Sequence, residues 1–68
     1  MIRKPTAVEF GAFIRRHRLA RGMTQGELGA MVGTRRQEIC DYENGRATPI
    51  ACRWVMLCAA LDAPIFVL

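Results

Sequence analysis

MTQGELGAMVGTRRQEICDYENG, residues 23–45, is the stretch that decides the fold. Thr24-Gln25-Gly26-Glu27 is a capping box. The Thr24 hydroxyl can accept from the Glu27 amide while the Glu27 carboxylate reaches back to the Thr24 amide. The box opens a short helix whose buried stripe reads as Leu28, Met31 and Val32. Gly33 stops that helix, because glycine adopts the positive φ a tight turn needs. Gly26 and Gly29 lie inside it, and each costs a helix about 1 kcal/mol relative to alanine. Such a residue at Gly29 points to close approach by another backbone. A second helix is expected to start at Arg35 or Arg36, with Thr34 and Arg35 at its N-terminal edge. It turns Ile39 and Tyr42 inward and ends at Asn44-Gly45.

Outward from this unit, Thr6-Ala7-Val8-Glu9 is another capping box, with Pro5 setting the entry of the chain. It predicts a helix to about Arg21, on which Phe10, Phe13, Ile14 and His17 share one face. Gly22 then takes the left-handed position after the helix end. On the other side, Thr48-Pro49 reads as an N-cap followed by proline at the first helical position, giving a helix from about Pro49 to Leu61. Asp62-Ala63-Pro64 breaks it, and Ile65-Phe66-Val67-Leu68 has the composition of a short β-strand. No internal repeat or low-complexity stretch interrupts the chain.

Composition bounds the function. Sixty-eight residues allow one small domain, residues 1–68, and exclude a large enclosed substrate pocket. A domain of this size buries only about 60% of the surface its unfolded chain exposes, yet 51% of the residues are apolar. A second copy or a partner would account for the surplus. Cys40, Cys52 and Cys58 are odd in number and lack framework spacing, which argues against a disulfide-stapled secreted protein. The charged opening does not read as a signal peptide, and the apolar run from Ala63 to Leu68 is too short to span a bilayer. The expectation is a cytoplasmic protein. Ten Lys+Arg against six Asp+Glu give a net charge of +4, which suits an anionic partner such as nucleic acid. That charge concentrates in Arg3 to Arg21 and around Arg35, Arg36 and Arg46.

Two helices joined by a glycine turn, the second with an exposed polar face, have the layout of a helix-turn-helix. The ordered set Gly11-x-x-Ile14-x-x-x-Arg18, Met23-Thr24-Gln25-x-Glu27-Leu28-Gly29, Gly33, Ile39, Tyr42-Glu43-x-Gly45, Pro49, Leu57 and Leu61 resembles the Cro/C1-type (XRE-like) family. The resemblance covers about Glu9 to Leu61. It implies an all-α, lambda-repressor-like domain of four to five compact helices, to which the sequence adds a short C-terminal strand. It also implies sequence-specific double-stranded DNA binding, with the N-terminal part of the third helix in the major groove. The residues expected to read bases are Arg35, Arg36, Gln37 and Asp41. Arginine pairs bidentately with guanine and glutamine with adenine. Asp41 could accept from cytosine N4 or orient Arg36 or Gln37. Thr24, Gln25, Glu38, Asn44 and Arg46 are expected along the phosphate backbone, Gln25 at a helix N-terminus that attracts phosphate. Glu38 and Asp41 also repel phosphate, which would lower non-specific affinity.

Arg18 and Glu43, by the same resemblance, form a partly buried ion pair tying the first helix to the end of the third. Gly29 stands where the family usually has alanine. His17 reads as a packed, hydrogen-bonded histidine. Cys52 and Cys58 lack ligand spacing, and no Ser/His/Asp set or phosphate-cradling glycine loop is present. No enzymatic activity, metal or cofactor is expected. Phe13, Leu19, Val55, Met56 and Ala59 fall where many relatives are polar, and the last helix is apolar almost all round, as a helix buried on more than one side would be. With the unpaired strand, this predicts a homodimer on a palindromic operator, built on Val55, Met56 and Ala59 and closed by Ile65, Phe66 and Val67. Small size and a compact last helix most resemble HipB-type antitoxins, which regulate their own operon and hold a toxin, a HipA-like kinase in the HipB case. A free-standing repressor or restriction-modification controller without a toxin is the alternative. A protein-interaction module that has lost DNA binding is the third reading, and Gln25, Arg35, Arg36 and Gln37 argue against it.

Overall fold

The computed structural model describes residues 6–63. Four helices follow one another: α1 Ala7–Ala20, α2 Gln25–Met31, α3 Arg36–Glu43 and α4 Ala51–Leu61. Among the described residues there is no strand, and no helix is long and apolar enough to cross a membrane. The expected strand at Ile65 to Leu68 lies outside the described residues.

Both capping boxes form. Thr6 Oγ1 accepts from the Glu9 amide at 3.2 Å, and Glu9 Oε1 accepts from the Thr6 amide at 2.9 Å. At α2 the equivalent distances are 3.0 and 2.8 Å. Each box satisfies two amides that a helix start otherwise leaves open. Gly22, Gly33 and Gly45 follow the ends of α1, α2 and α3 with φ of 66°, 73° and 73°, the left-handed region that glycine enters without a steric penalty.

The core lies where the four helices converge. Ile14, Leu28, Ile39 and Leu57, one from each helix, are fully buried, with Val32 and Leu61 beside them. Trp54 fixes α4 against α1: its ring meets Phe10 edge-on at 4.8 Å and Phe13 at 5.4 Å. Aromatic pairs of this geometry contribute about 0.5–1.5 kcal/mol beyond the area they bury. His17 packs its ring 4.4 Å from Phe13, at the edge of this cluster.

Two elements depart from the sequence reading. Met31, placed there in the α2 stripe, is 59% exposed. Gly29 is buried in its stead, so the stripe centres between Leu28, Gly29 and Val32, and Met31 projects about 100° round the helix from that centre. In a seven-residue helix, too few positions exist for periodicity to choose between the two phases. The second departure is the start of α4. Its N-cap is Ile50, held extended at ψ 163°, with the first helical bond from the Trp54 amide to the Ile50 carbonyl. Thr48 and Pro49 therefore stand outside the helix. A β-branched residue after proline favours the extended conformation, and Thr48 loses its capping role. α4 buries Trp54, Leu57, Cys58 and Leu61 and leaves Val55, Met56 and Ala59 on an open face.

Candidate nucleic-acid interface

The turn between α2 and α3 sets how α3 is presented. The Thr34 amide donates to the Gly29 carbonyl at 2.8 Å, drawing the turn across α2. A Cβ on Gly29 would stand 3.0 Å from the Thr34 carbonyl oxygen and 3.2 Å from the Arg35 carbonyl carbon. The backbone that approaches Gly29 is thus the turn itself, not the body of α3. Gly11 has the same function on α1, where any Cβ would collide with the Tyr42 carbonyl oxygen at the end of α3.

A buried polar knot ties these pieces together. Arg18 Nε donates to Glu43 Oε2 at 2.6 Å and Nη2 donates to Glu43 Oε1 at 3.0 Å. Arg18 Nη1 also donates to the Met23 carbonyl at 2.7 Å. The Gln25 amide completes the set, donating to Glu43 Oε1 at 3.2 Å. The Glu43 side chain is 1% exposed and that of Arg18 9%. The hydrogen bond to Glu43 pushes the Arg18 guanidinium above its ordinary pKa, against the opposing effect of burial. One side-chain cluster therefore joins α1, the loop before α2, the first residue of α2 and the last residue of α3.

α3 begins with Arg35 as its N-cap, without a side-chain cap. Arg35, Arg36 and Gln37 are exposed. Among the described residues, neither Arg35 nor Arg36 makes an ion pair or a side-chain hydrogen bond. Arg35, Gln37 and Asp41 line a shallow hollow of about 400 Å³ with Thr34 and Glu38. Arg36 faces a different hollow, of about 590 Å³, shared with Thr24, Gln25 and Gly26 at the start of α2. The four residues expected to read bases are thus divided: three together, and Arg36 beside two of the residues expected at phosphate.

The remaining assignments meet partners within the chain. Asp41 Oδ1 accepts from Gln37 Nε2 at 3.0 Å and lies 3.8 Å from Arg46 Nη1, so of its two suggested orienting partners it engages Gln37 and not Arg36. Asn44 Nδ2 donates to the Cys40 carbonyl at 2.9 Å and to Cys40 Sγ at 3.3 Å, closing the last turn of α3. Glu38, an acceptor-only group, takes the Thr34 hydroxyl and the Tyr42 hydroxyl. Burial first, and then the bond to Glu38, push the Tyr42 phenol above its ordinary pKa. The Gln25 side chain turns inward to Glu43, while Thr24 spends its oxygen on the capping box. Arg46 remains largely exposed past the end of α3.

Sequence reasoning set Thr34 at the N-terminal edge of α3 without its partner Glu38, and passed over Arg53. Thr34 stands in the turn just before the Arg35 N-cap, and its hydroxyl donates to Glu38 in the first turn of α3. Arg53 Nη1 donates to the Val32 carbonyl and so caps the C-terminal end of α2 from α4. Its only trace in the sequence is a lone charge in an otherwise apolar helix. Among the described residues no three His, Cys, Asp or Glu side chains gather as metal ligands would.

Residues 9–65 match the family described as helix-turn-helix domain. Endothelial differentiation-related factor 1 from Rattus norvegicus and from Mus musculus is 43% identical over 42 residues, which is 62% of this chain and 28% of each relative. The match thus spans less than a third of those relatives. The restriction-modification controller protein C.AhdI from Aeromonas hydrophila superposes with a TM-score of 0.80 at 29% identity, covering 85% of this chain and 84% of that one.

Proposed function

The chain belongs to the helix-turn-helix domain family, of Cro/C1 type, and on that ground we propose that it is a sequence-specific DNA-binding controller or repressor acting as a homodimer without a toxin partner. Supporting this is one observation above the rest. The likeness to a restriction-modification controller extends over more than four-fifths of both chains. The exposed start of α3 would enter the major groove, with Arg35 and Arg36 offered to guanine and Gln37 to adenine. Arg46, Thr24, Asn44 and the amide end of α2 at Gln25 would lie along the phosphates. Asp41 and Glu38 would act through neighbouring side chains. Binding is the whole activity in this reading, and no catalytic step is assigned.

The open face of α4 supplies the dimer. Val55 and Met56 are 51% and 46% exposed, and Ala59 lies one turn on from Val55. Two copies joined there would present two α3 helices to half-sites about 34–36 Å apart. Ile65, Phe66 and Val67, the rest of the proposed seam, lie outside the described residues. The HipB-type antitoxin reading rests on small size and an apolar last helix. A homodimer uses that face without a toxin.

Selection from a randomised duplex library, followed by anisotropy titration of the selected site, tests the proposal. A palindromic site should emerge, and its affinity should fall steeply as salt rises, because each phosphate contact releases counterions. Equal binding to every duplex, or a flat response to salt, would sink it.

A further inference from the structure

We propose that Asp41 determines specificity at a distance from the base: by holding one N–H of Gln37, it makes that glutamine an adenine reader and bars it from guanine. The inference rests on the proposed reading of α3 as the groove-entering helix. Gln37 and Asp41 are one helical turn apart, and Gln37 Nε2 donates to Asp41 Oδ1 at 3.0 Å. A side-chain amide has two N–H donors and a carbonyl acceptor, whereas a carboxylate only accepts. The amide can therefore meet Asp41 in one orientation, nitrogen inward.

That constraint changes what is left for DNA. A free glutamine can address the major groove in two ways. It can give both N–H groups to the two acceptors of guanine, N7 and O6. It can instead pair one N–H and its carbonyl with adenine N7 and the N6 amino group. With one N–H on Asp41, only one donor and one acceptor remain. They match adenine, while against guanine the carbonyl oxygen would face O6, acceptor against acceptor. Arg46 supports the arrangement from the other side. Its guanidinium lies 3.8 Å from the same Asp41 oxygen, and its amide donates to the Asp41 carbonyl at 2.9 Å. The negative charge that orients Gln37 is offset where the face approaches phosphate.

The test is site selection with the wild type, Asp41→Ala, Asp41→Asn, Gln37→Ala and the Gln37→Ala/Asp41→Ala double variant. Asp41 is at the surface and alanine favours helix, so the variants should fold. The wild type should prefer adenine over guanine at one position of each half-site by about tenfold or more, within the range of one bidentate pair. Asp41→Ala should bring that ratio within about twofold and leave other positions alone, and Asp41→Asn, whose amide can also donate to the Gln37 carbonyl and so admits both orientations, should reduce it as well. In the Gln37→Ala background, Asp41→Ala should change nothing further. Asp41→Ala retaining the adenine preference would overturn the inference. So would a shift produced by Asp41→Ala without Gln37, which would make Asp41 itself a base reader. A wild type that selects a defined site in which no position depends on Gln37 refutes this inference and spares the proposed function; one that selects no site refutes both.

Discussion

Arg18→Met should cost this domain most of its stability. The substitution keeps much of the buried stem and removes the charge, so the effect measured is that of the polar knot. Three hydrogen bonds go, two to Glu43 at 2.6 and 3.0 Å and one to the Met23 carbonyl at 2.7 Å. Glu43, 1% exposed, is left with only the Gln25 amide. Stranding one charge of a buried pair costs about 3–5 kcal/mol. At about 0.05–0.15 kcal/mol per residue, the whole domain is stable by about 3–10 kcal/mol. In a domain of this size each kcal/mol moves the melting temperature by about 4–8 °C, so the expected fall is about 12–40 °C. Circular dichroism melts and urea titrations measure it. Arg18→Met/Glu43→Leu should recover much of the loss, because replacing both charges by apolar groups leaves neither stranded. A melting temperature for Arg18→Met within about 4 °C of the parent would refute the reasoning. So would a double variant no more stable than Arg18→Met.

Gly11→Ala should destabilise by about 1–3 kcal/mol despite alanine's better helix propensity, since the new Cβ meets backbone carbonyls of α3 and not a side chain that can swing away; a melt unchanged or raised would contradict the close crossing. The amide of Thr24 and its hydroxyl hold the Glu27 carboxyl below the ordinary glutamate range. Its folded pKa is depressed, so the stability it adds is fully present above the unfolded value of about 4.3 and is lost as pH falls through the folded one. Glu27→Gln should therefore lower the melting temperature at neutral pH and converge on the parent at low pH, flattening the acid limb, and an identical acid limb would count against the assignment. Met56→Glu puts a charge on the open face of α4 and should leave the monomer fold intact while abolishing dimer in sedimentation velocity; a variant that still dimerises would move the seam elsewhere.

What could be read in the sequence was local. Both capping boxes are i, i+3 patterns whose chemistry closes within one turn, and both form. The glycine after each of the first three helices was equally legible, because only the backbone at that residue decides it. What escaped needed a second element in place. The phase of α2 depended on the turn backbone covering Gly29, and without that contact Met31 and Gly29 compete evenly for the stripe. The Gln25 amide points inward because Glu43, 18 residues on, offers a buried acceptor. Thr48 carries an N-cap signature, yet Ile50 begins α4. The identities expected at the recognition face could be named from the sequence, but not which of them would be held by neighbours.

On the proposed reading of α3 as the base-reading helix, that last distinction says where discrimination would reside. Gln37 is already held by Asp41, so binding orders little that is not ordered before. Arg35 and Arg36 have no such partner among the described residues, and immobilising each costs about 0.5–1.5 kcal/mol. A bidentate pair with guanine returns about 1–3 kcal/mol, enough to offset that cost, whereas a base without two facing acceptors does not. The arginines are therefore penalised at every wrong base, while the fixed scaffold of turn, knot and caps presents them identically to all sequences. Tethering Arg36, for instance by Cys40→Glu one turn along α3, lowers the ordering cost at cognate and non-cognate bases alike. It should raise affinity for the selected site and for non-selected DNA by similar factors and leave the ratio between them unchanged, and a changed ratio in competition titrations would refute the ordering argument.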